Sequence, residues 1–235
     1  MTIVIPRFPA TNNEYDALRV FKEVFRRAAV IVPHFNAEQI HDSRIKGIFI
    51  PGGFSYGDYI RAGAIASVSE IMTAIKQKTR EEGVPVLGVC NGFQILTEAN
   101  LLPGVLLKNT STRFVCKWVS LKRENMTNPL TKGLDDEPLR LPVAHYEGRY
   151  HVEPGTLEEM MDNHQVLFHY VDSAGELSEK ANPNGSVNNI AGVSDKDHRV
   201  FGMMPHPERA SRKELTSTDG LPIIRNFLAL IDEGI

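Results

Sequence analysis

A cysteine with a glycine two residues away on either side has the clearest chemical meaning in this chain. Cys90 follows the apolar, β-branched run Val84–Val89 and precedes a helical apolar pattern, and Gly88 and Gly92 flank it. This is the sulfur version of the nucleophile elbow, a tight strand-to-helix turn in which a Cβ at the glycine positions would crowd the backbone. The positive end of the helix dipole favours the thiolate, which is the nucleophilic form. The pattern predicts covalent catalysis at Cys90; the alternative is a small buried core residue.

A histidine and a glutamate near the carboxyl end of the chain could serve that thiol. His206 follows the apolar run Val200–Met204, and Pro207 biases it toward an extended conformation. Residues two apart in an extended segment point to the same side, so Glu208 can reach the His206 ring, fix its tautomer and stabilise the imidazolium. Ligands of parallel α/β sheets lie beyond the carboxyl ends of strands, where we expect Cys90 and His206 to meet. The alternative is a polar surface turn.

A glycine pair follows a third apolar run. Pro51-Gly52-Gly53 comes directly after Ile45–Ile50, and consecutive glycines let a backbone approach a ligand and present N–H groups to a developing oxyanion. We predict that the backbone N–H groups of Gly53 and Asn91 form an oxyanion hole. The alternatives are a plain glycine-rich turn or a phosphate cradle, although the loop lacks the Gly-Lys-Ser/Thr ending of a P-loop.

The elements that must position these residues alternate in the first half of the chain and become strand-rich in the second. Predicted strands cover Thr2–Arg7, Ala28–Pro33, Ile45–Ile50 and Val84–Val89, and predicted helices cover Tyr15–Arg27, Ser67–Glu82 and Phe93–Leu101. Alternation of this kind indicates a parallel sheet covered on both faces. Later strand candidates are Phe114–Leu121, Leu141–Ala144, Arg149–Val152, Gln165–Val171, Asn189–Val193 and Val200–Met204, before a final helix over Pro222–Ile231. We expect these strands to extend the same sheet in antiparallel or mixed fashion, giving one α/β domain over residues 1–235 with a mixed, mainly parallel sheet flanked by helices.

Composition excludes several classes of protein. The 235 residues are 42% hydrophobic, enough for a sizeable core, and 26 Lys and Arg against 29 Asp and Glu give a net charge of −3. Mixed charges along the chain do not indicate a nucleic-acid or membrane surface. Cys90 and Cys116 are the only cysteines and form no metal-ligand pattern. We expect no resident metal, an inert Cys116, and a reduced, cytoplasmic protein, since the N-terminus lacks the long apolar region of a signal peptide.

The motifs, taken in order, resemble those of class I (triad) glutamine amidotransferases. They are the Pro51-Gly52-Gly53 loop, the Gly88–Gln94 elbow and the His206-Pro207-Glu208 ending. A narrower resemblance, to the small glutaminase subunit of phosphoribosylformylglycinamidine synthase, covers nearly the whole chain. It rests on Gly52–Ala64, Arg113-Phe114, Ala144–Arg149 and Asp219-Gly220. The resemblance implies a flavodoxin-like α/β fold of the amidotransferase type.

The resemblance also implies a division of labour in de novo purine biosynthesis. This chain would hydrolyse glutamine, and the ammonia would pass to a partner synthetase subunit that makes formylglycinamidine ribonucleotide. A third, small subunit would bridge the two. ATP and magnesium would belong to the partner, so no cofactor is expected in this chain.

Site residues carried over by motif are a nucleophile, its base and a pocket. Cys90 would attack the glutamine amide, His206 would transfer protons, and Glu208 would orient His206. Gln94, one helical turn beyond the cysteine, would contact the substrate. Weaker candidates for the glutamine pocket or its support are Phe54, Arg113 and His145; the alternatives are a surface ion pair for Arg113 and a structural hydrogen bond for His145.

Three positions depart from the family pattern. Ala10 and Tyr146 stand where glycine is usual, and Asn13 stands where cysteine is usual. We expect these changes to alter loop shape and the partner-facing surface and to leave the proposed triad untouched.

Other functions compete with this interpretation. One is an amidotransferase subunit for another acceptor, and one is a non-catalytic structural subunit that keeps the fold. A third is a DJ-1-like thiol hydrolase, a class that commonly has histidine directly after the cysteine, where this chain has Asn91.

Overall fold

Nine strands of the protein form one mixed sheet in a computed structural model that describes residues 1–233. Including the two strands that lie outside this sheet, the strands of the described residues are β1 (Thr2–Arg7), β2 (Ala28–Pro33), β3 (Ile45–Ile50), β4 (Val86–Val89), β5 (Val105–Leu107), β6 (Val115–Arg123), β7 (Leu139–His145), β8 (Arg149–His151), β9 (Val166–Val171), β10 (Ile190–Ser194) and β11 (Val200–Met203). The helices are α1 (Glu14–Arg19), α2 (Ala64–Ser67), α3 (Glu70–Glu82), α4 (Asn91–Glu98), α5 (Pro154–Asp162) and α6 (Leu221–Glu233). The sheet order is β2-β1-β3-β4-β11-β10-β9-β6-β7, and β5 pairs with β8 separately.

The sheet has a parallel half and an antiparallel half. Strands β2, β1, β3, β4 and β11 run parallel, whereas β10, β9, β6 and β7 are joined by antiparallel pairing. One contiguous core cluster joins both halves, with Phe49 in β3, Phe93 in α4, Phe168 in β9 and Phe227 in α6 among its fully buried members. The predicted fold class, a single α/β unit with a mixed sheet flanked by helices, is confirmed. The sheet was expected to be mainly parallel, whereas its pairings divide evenly between parallel and antiparallel.

Strand β4 lies in the interior of the sheet, and both of its faces are covered. All four of its residues are buried, as expected for an apolar strand inside a parallel sheet. It lies between β3 and β11 in register, so its carboxyl end adjoins theirs. Cys90, the loop after Ile50 and the segment after Met203 therefore come together at one edge.

The antiparallel half returns to that edge. Strand β7 lies five positions away from β4 in the sheet. Even so, the Ala144 carbonyl of β7 accepts a hydrogen bond from the Cys90 thiol at 3.6 Å, and the Pro142 carbonyl accepts one from the His206 backbone N–H at 2.9 Å. The curvature of the sheet thus makes β7 one wall of the candidate site.

Several element predictions were wrong in part. The helix predicted over Tyr15–Arg27 is α1 followed by a π-helical stretch, Val20–Val24. The helix predicted over Ser67–Glu82 is interrupted, because the Ser69 hydroxyl caps α3 by accepting the Met72 N–H at 3.4 Å.

The strand-rich half also contains elements that were not expected. Arg149–Val152 was predicted to extend the main sheet, but β8 pairs with the unpredicted strand β5. Helix α5 was missed because it buries only one residue, Met160, and so has little apolar periodicity. Across residues 1–233, none of the helices has the length and apolar character needed to cross a bilayer.

Candidate active site

Cys90 occupies a strained turn between β4 and α4. Its backbone has φ 53° and ψ −107°, a conformation that an L-residue adopts only under constraint. A Cβ on Gly92 would lie 2.0 Å from the Ile50 carbonyl oxygen, and a Cβ on Gly88 would lie 2.6 Å from the Gly92 carbonyl oxygen. The turn therefore requires both glycines, and it presents the thiol at the carboxyl edge of the sheet.

His206 and Glu208 form a buried pair beyond β11. His206 is extended, with φ −100° and ψ 93°, and its Nδ1 lies 2.6 Å from Glu208 Oε1. The two residues are 2% and 1% exposed. A short contact to a carboxylate places the proton on Nδ1, which leaves Nε2 as the nitrogen available for proton transfer. Among the residues that the structure describes, His206 Nε2 has no hydrogen-bond partner.

The cysteine and the histidine converge over a glycine. A Cβ built on Gly52 would lie 2.7 Å from His206 Cε1 and 3.4 Å from the Cys90 Cβ. Both side chains therefore border the space that Gly52 leaves empty. Gly52 was predicted only as part of the glycine-rich loop motif; in the structure it is the residue whose missing side chain lets His206 approach Cys90.

The electrostatics favour a protonated imidazole. Burial lowers the pKa of His206, but the Glu208 carboxylate and then Cys90 outweigh it and raise that pKa to about 10. The imidazole is therefore held protonated at neutral pH.

The loop after β3 lies against the elbow and the N-terminal loop. Gly53 has φ 151°, and a Cβ there would lie 2.7 Å from the Thr11 Cα. The Asn91 side-chain oxygen accepts the Ser55 N–H at 3.0 Å, which ties this loop to α4. Asn91 is the first residue of α4, where backbone N–H groups have no intrahelical partner. An oxyanion hole from the N–H groups of Gly53 and Asn91 stays a prediction.

The side-chain amide of Gln94 links helix α4 to the loop after β7. Its Nε2 donates to the Glu147 carbonyl at 2.6 Å, its Oε1 accepts from Asn91 Nδ2 at 2.9 Å, and the residue is 5% exposed. Both the NH₂ group and the oxygen of this amide therefore have hydrogen-bond partners within the protein. We interpret Gln94 as a support that positions the loop after β7; its contact with glutamine stays a prediction.

His145 is buried beside the candidate triad. Its Nδ1 donates to Asn109 Oδ1 at 3.1 Å, since an amide oxygen can only accept. Burial, followed by the nearby His206, lowers the pKa of His145 to about 4, so the ring is neutral at pH 7. The structural hydrogen bond named as the alternative for this residue is present. Within residues 1–233 its Nε2 has no partner.

Phe54 and Arg113 lie at the rim. Phe54 is 41% exposed, and its ring centroid lies 6.3 Å from that of Phe114. Arg113 is exposed, and its carbonyl accepts from Asn109 Nδ2 at 2.9 Å. In the part of the chain described, the Arg113 guanidinium has no carboxylate within 4.0 Å. Phe54 directly follows the Gly52-Gly53 pair, and the backbone of Arg113 is tied through Asn109 to His145.

The expectation that the departures from the family pattern leave the triad untouched was wrong for Asn13. Its Nδ2 lies 3.1 Å from His206 Nδ1. Ala10 does shape its loop, since its φ of 65° is a conformation that favours glycine. Tyr146 is 37% exposed, with Lys108 Nζ 5.8 Å from its ring centroid. The strand-end rule that located Cys90 also places the loop after β1 at this edge of the sheet, but it does not single out Asn13 within that loop.

Residues 1–233 contain no group of three or more His, Cys, Asp or Glu side chains arranged to hold a metal ion.

This chain is similar over its length to proteins of known family. The sequence-family model of the CobB/CobQ-like glutamine amidotransferase domain matches residues 1–220 of this chain. The chain is 46% identical to the phosphoribosylformylglycinamidine synthase subunit PurQ of Methanosarcina barkeri, with all of both chains covered. It is 46% identical to the PurQ subunit of Aquifex aeolicus, covering 97% of this chain and 100% of the relative.

A solved structure extends the comparison to the fold. A chain in the structure of PurLQS from Thermotoga maritima superposes with a TM-score of 0.82 at 35% identity, covering 98% of each chain. With a family model and full-length relatives in agreement, this chain belongs to the CobB/CobQ-like glutamine amidotransferases and, among them, to the PurQ subunits of phosphoribosylformylglycinamidine synthase.

Proposed function

We propose that this chain hydrolyses glutamine through a Cys90–His206–Glu208 triad and supplies ammonia to a synthetase partner. The observation that carries the proposal is the buried 2.6 Å contact between His206 and Glu208, next to a cysteine held in a strained elbow. This combination provides a nucleophile, a base and an orienting carboxylate in one place.

The reaction proceeds through a thioester. The Cys90 thiolate attacks the side-chain amide carbon of glutamine, and the carbonyl oxygen becomes an oxyanion that the N–H groups of Gly53 and Asn91 stabilise. His206 gives its proton to the departing nitrogen, so the C–N bond breaks and ammonia leaves. His206 then takes a proton from water, which attacks the γ-glutamyl thioester and releases glutamate and the Cys90 thiol.

The pocket around the nucleophile has three parts. Neutral His145 forms a wall beside His206, Phe54 and Arg113 form the rim, and Gln94 supports the loop that follows His145. An exposed guanidinium without a carboxylate partner suits the α-carboxylate of an amino-acid substrate.

The relatives support the identity of the partners. The PurQ names and the PurLQS structure support assembly with a PurL-like synthetase subunit and a PurS-like bridging subunit. ATP and magnesium act at the synthetase, which makes formylglycinamidine ribonucleotide. Both cysteines are free, with Cys90 buried and Cys116 exposed, which supports a reducing, cytoplasmic location.

The competing functions have less support. A DJ-1-like hydrolase leaves the buried His206–Glu208 pair without a role, and Asn91 is occupied with the loop after β3. A different acceptor is disfavoured by full-length relatives that carry the PurQ name. A purely structural subunit has no need for a strained cysteine beside a protonated histidine.

The test compares the two cysteines in the assembled complex. Cys90→Ala should abolish glutamine-dependent synthesis and leave synthesis from ammonium salts intact, whereas Cys116→Ala should preserve both. A diazo-ketone analogue of glutamine should label the Cys90 peptide, as mapped by mass spectrometry. Glutamine-dependent synthesis by Cys90→Ala, or label on another residue, would overturn the proposal.

A further inference from the structure

Asn13 connects the N-terminal loop to the buried histidine–glutamate pair. It lies between β1 and α1 and is 2% exposed. Its Nδ2 is 3.1 Å from His206 Nδ1 and 3.4 Å from Glu208 Oε1. Its backbone N–H donates to the Gly52 carbonyl at 3.3 Å. One residue therefore contacts both catalytic candidates beyond β11 and the glycine over which Cys90 and His206 converge.

The orientation of the Asn13 amide follows from its neighbours. Arg209 Nη2 lies 2.7 Å from Asn13 Oδ1, and a guanidinium can only donate. The oxygen must therefore face Arg209, and the NH₂ group must face Glu208. In the reversed orientation the Asn13 NH₂ group would face the Arg209 guanidinium, which is also a donor, and the Asn13 oxygen would face the Glu208 carboxylate, which is also an acceptor.

The donor of Asn13 goes to the carboxylate. Because the proton on His206 Nδ1 is already shared with Glu208 Oε1 at 2.6 Å, that nitrogen has no lone pair to accept another. Asn13 Nδ2 therefore donates to Glu208, and Oε1 receives two hydrogen bonds. In the described residues Glu208 Oε2 has none, so these two donors define where the carboxylate sits.

The chain of contacts reaches the surface. Arg209 Nε donates to Asp16 Oδ2 at 3.2 Å, and both side chains are about a third exposed, at 38% and 34%. Asp16 lies in α1, so the series Asp16–Arg209–Asn13–Glu208 fixes the amide from the side opposite to the triad. Asn13 is thus held rigidly while it donates.

We propose that Asn13 is a positioning residue, which orients the Glu208–His206 pair toward Cys90 without touching glutamine. This inference depends on the proposed glutaminase activity. Since Asn13 acts on the orientation of the base, its loss lowers the rate of the chemical step and leaves glutamine binding unchanged.

The test is Asn13→Asp in the assembled complex. Aspartate keeps the shape but replaces the donor with a carboxylate facing Glu208. We expect kcat for glutamine-dependent synthesis to fall about 10- to 100-fold, the range typical of such supporting contacts, with KM for glutamine and ammonium-dependent synthesis unchanged. Asn13→Cys, which restores a side chain able to donate, should recover part of kcat. The matched control is Asn12→Asp, an exposed neighbour, which should retain wild-type kinetics.

Two outcomes separate this inference from the proposed function. If Cys90→Ala abolishes glutamine use but Asn13→Asp retains the wild-type kcat, or raises KM in place of lowering kcat, the positioning role is wrong and the triad stands. If Cys90→Ala retains glutamine use, the proposed function itself fails.

Discussion

The Pro142 carbonyl accepts the backbone N–H of His206 at 2.9 Å. This bond joins the segment after the last parallel strand to the edge strand of the antiparallel half. Two residues further along β7, Ala144 accepts the Cys90 thiol at 3.6 Å. The neighbouring parallel strands β4 and β11 bring the nucleophile and the base together although 116 residues separate them, and β7 of the antiparallel half holds both through these two hydrogen bonds.

Removal of the Glu208 charge should slow glutamine hydrolysis. Glu208→Gln keeps the side-chain volume but withdraws the carboxylate that fixes the His206 tautomer. We expect kcat to fall by about 10²- to 10⁴-fold, a smaller loss than in Cys90→Ala, which lacks the nucleophile. Glutamate release by the assembled complex measures the effect.

The matched control for that change is Glu214→Gln, an exposed carboxylate a few residues along. It should retain wild-type turnover. Equal losses in Glu208→Gln and Cys90→Ala would contradict the orienting role, and so would full activity in Glu208→Gln.

The His206–Glu208 pair should make stability depend on pH on the alkaline side. The pKa of His206 in the folded protein is raised to about 10 by Glu208 and Cys90 against the opposing effect of burial, whereas a histidine in the unfolded chain has a pKa of about 6.5. The stabilisation is fully present below pH 6.5, and it is lost as pH rises through the folded value.

Urea unfolding of the wild type and of Glu208→Gln at several values between pH 6 and pH 10 tests this expectation. The wild type should lose its advantage in unfolding free energy across that interval, because the variant lacks the carboxylate that keeps His206 protonated. Parallel pH profiles for the two proteins would show that Glu208 does not control the ionisation of His206.

Asn109 should be essential to the end of β7, where His145 lies, and to the loop that follows it. Its Oδ1 accepts from the Gly148 N–H at 3.0 Å and from His145 Nδ1, and its Nδ2 donates to the His145 and Arg113 carbonyls. Asn109→Ala leaves these buried groups unpaired, so the unfolding free energy should fall by about 3 kcal/mol and KM for glutamine should rise. Asn12→Ala, at an exposed position, should leave both quantities unchanged.

Much of the parallel half could be predicted from local sequence alone. Strands β1, β2 and β3 have the predicted bounds residue for residue, because each is a short apolar run with clear polar or proline boundaries. The elbow could also be predicted from the sequence. The atoms that a Cβ at Gly88 or Gly92 would meet belong to the same turn or to the adjoining strand, so the need for glycine there follows from the turn itself. Local steric rules suffice where the neighbours are fixed by the fold class.

Contacts made by the closure of the fold could not be predicted in this way. Asn13 and His206 are 193 residues apart, and nothing in the periodicity of either segment encodes their meeting. The family motif pointed to Gln94 as a substrate contact, but nothing in the sequence indicated its hydrogen bond to the Glu147 carbonyl. Side-chain partners of this kind depend on how loops from distant strands meet at one edge of the sheet, which a single sequence does not specify.

The elbow should tolerate no side chain at Gly92. A Cβ there would lie 2.0 Å from the Ile50 carbonyl oxygen and 2.8 Å from its carbon, both backbone atoms of a central strand that cannot move aside. Gly92→Ala should therefore reduce the unfolding free energy by more than about 3 kcal/mol, at the upper end for overpacking, and abolish glutamine hydrolysis.

Gly155→Ala provides the comparison for the same chemical change. Gly155 lies in the first turn of α5, and a Cβ there meets nothing within 4 Å. Alanine is the better helix former, so this variant should be as stable as the wild type or more stable by up to about 1 kcal/mol. Thermal unfolding and glutamate release, measured side by side, decide the matter: a folded, active Gly92→Ala protein would mean that the tight turn is not what presents Cys90 to its substrate.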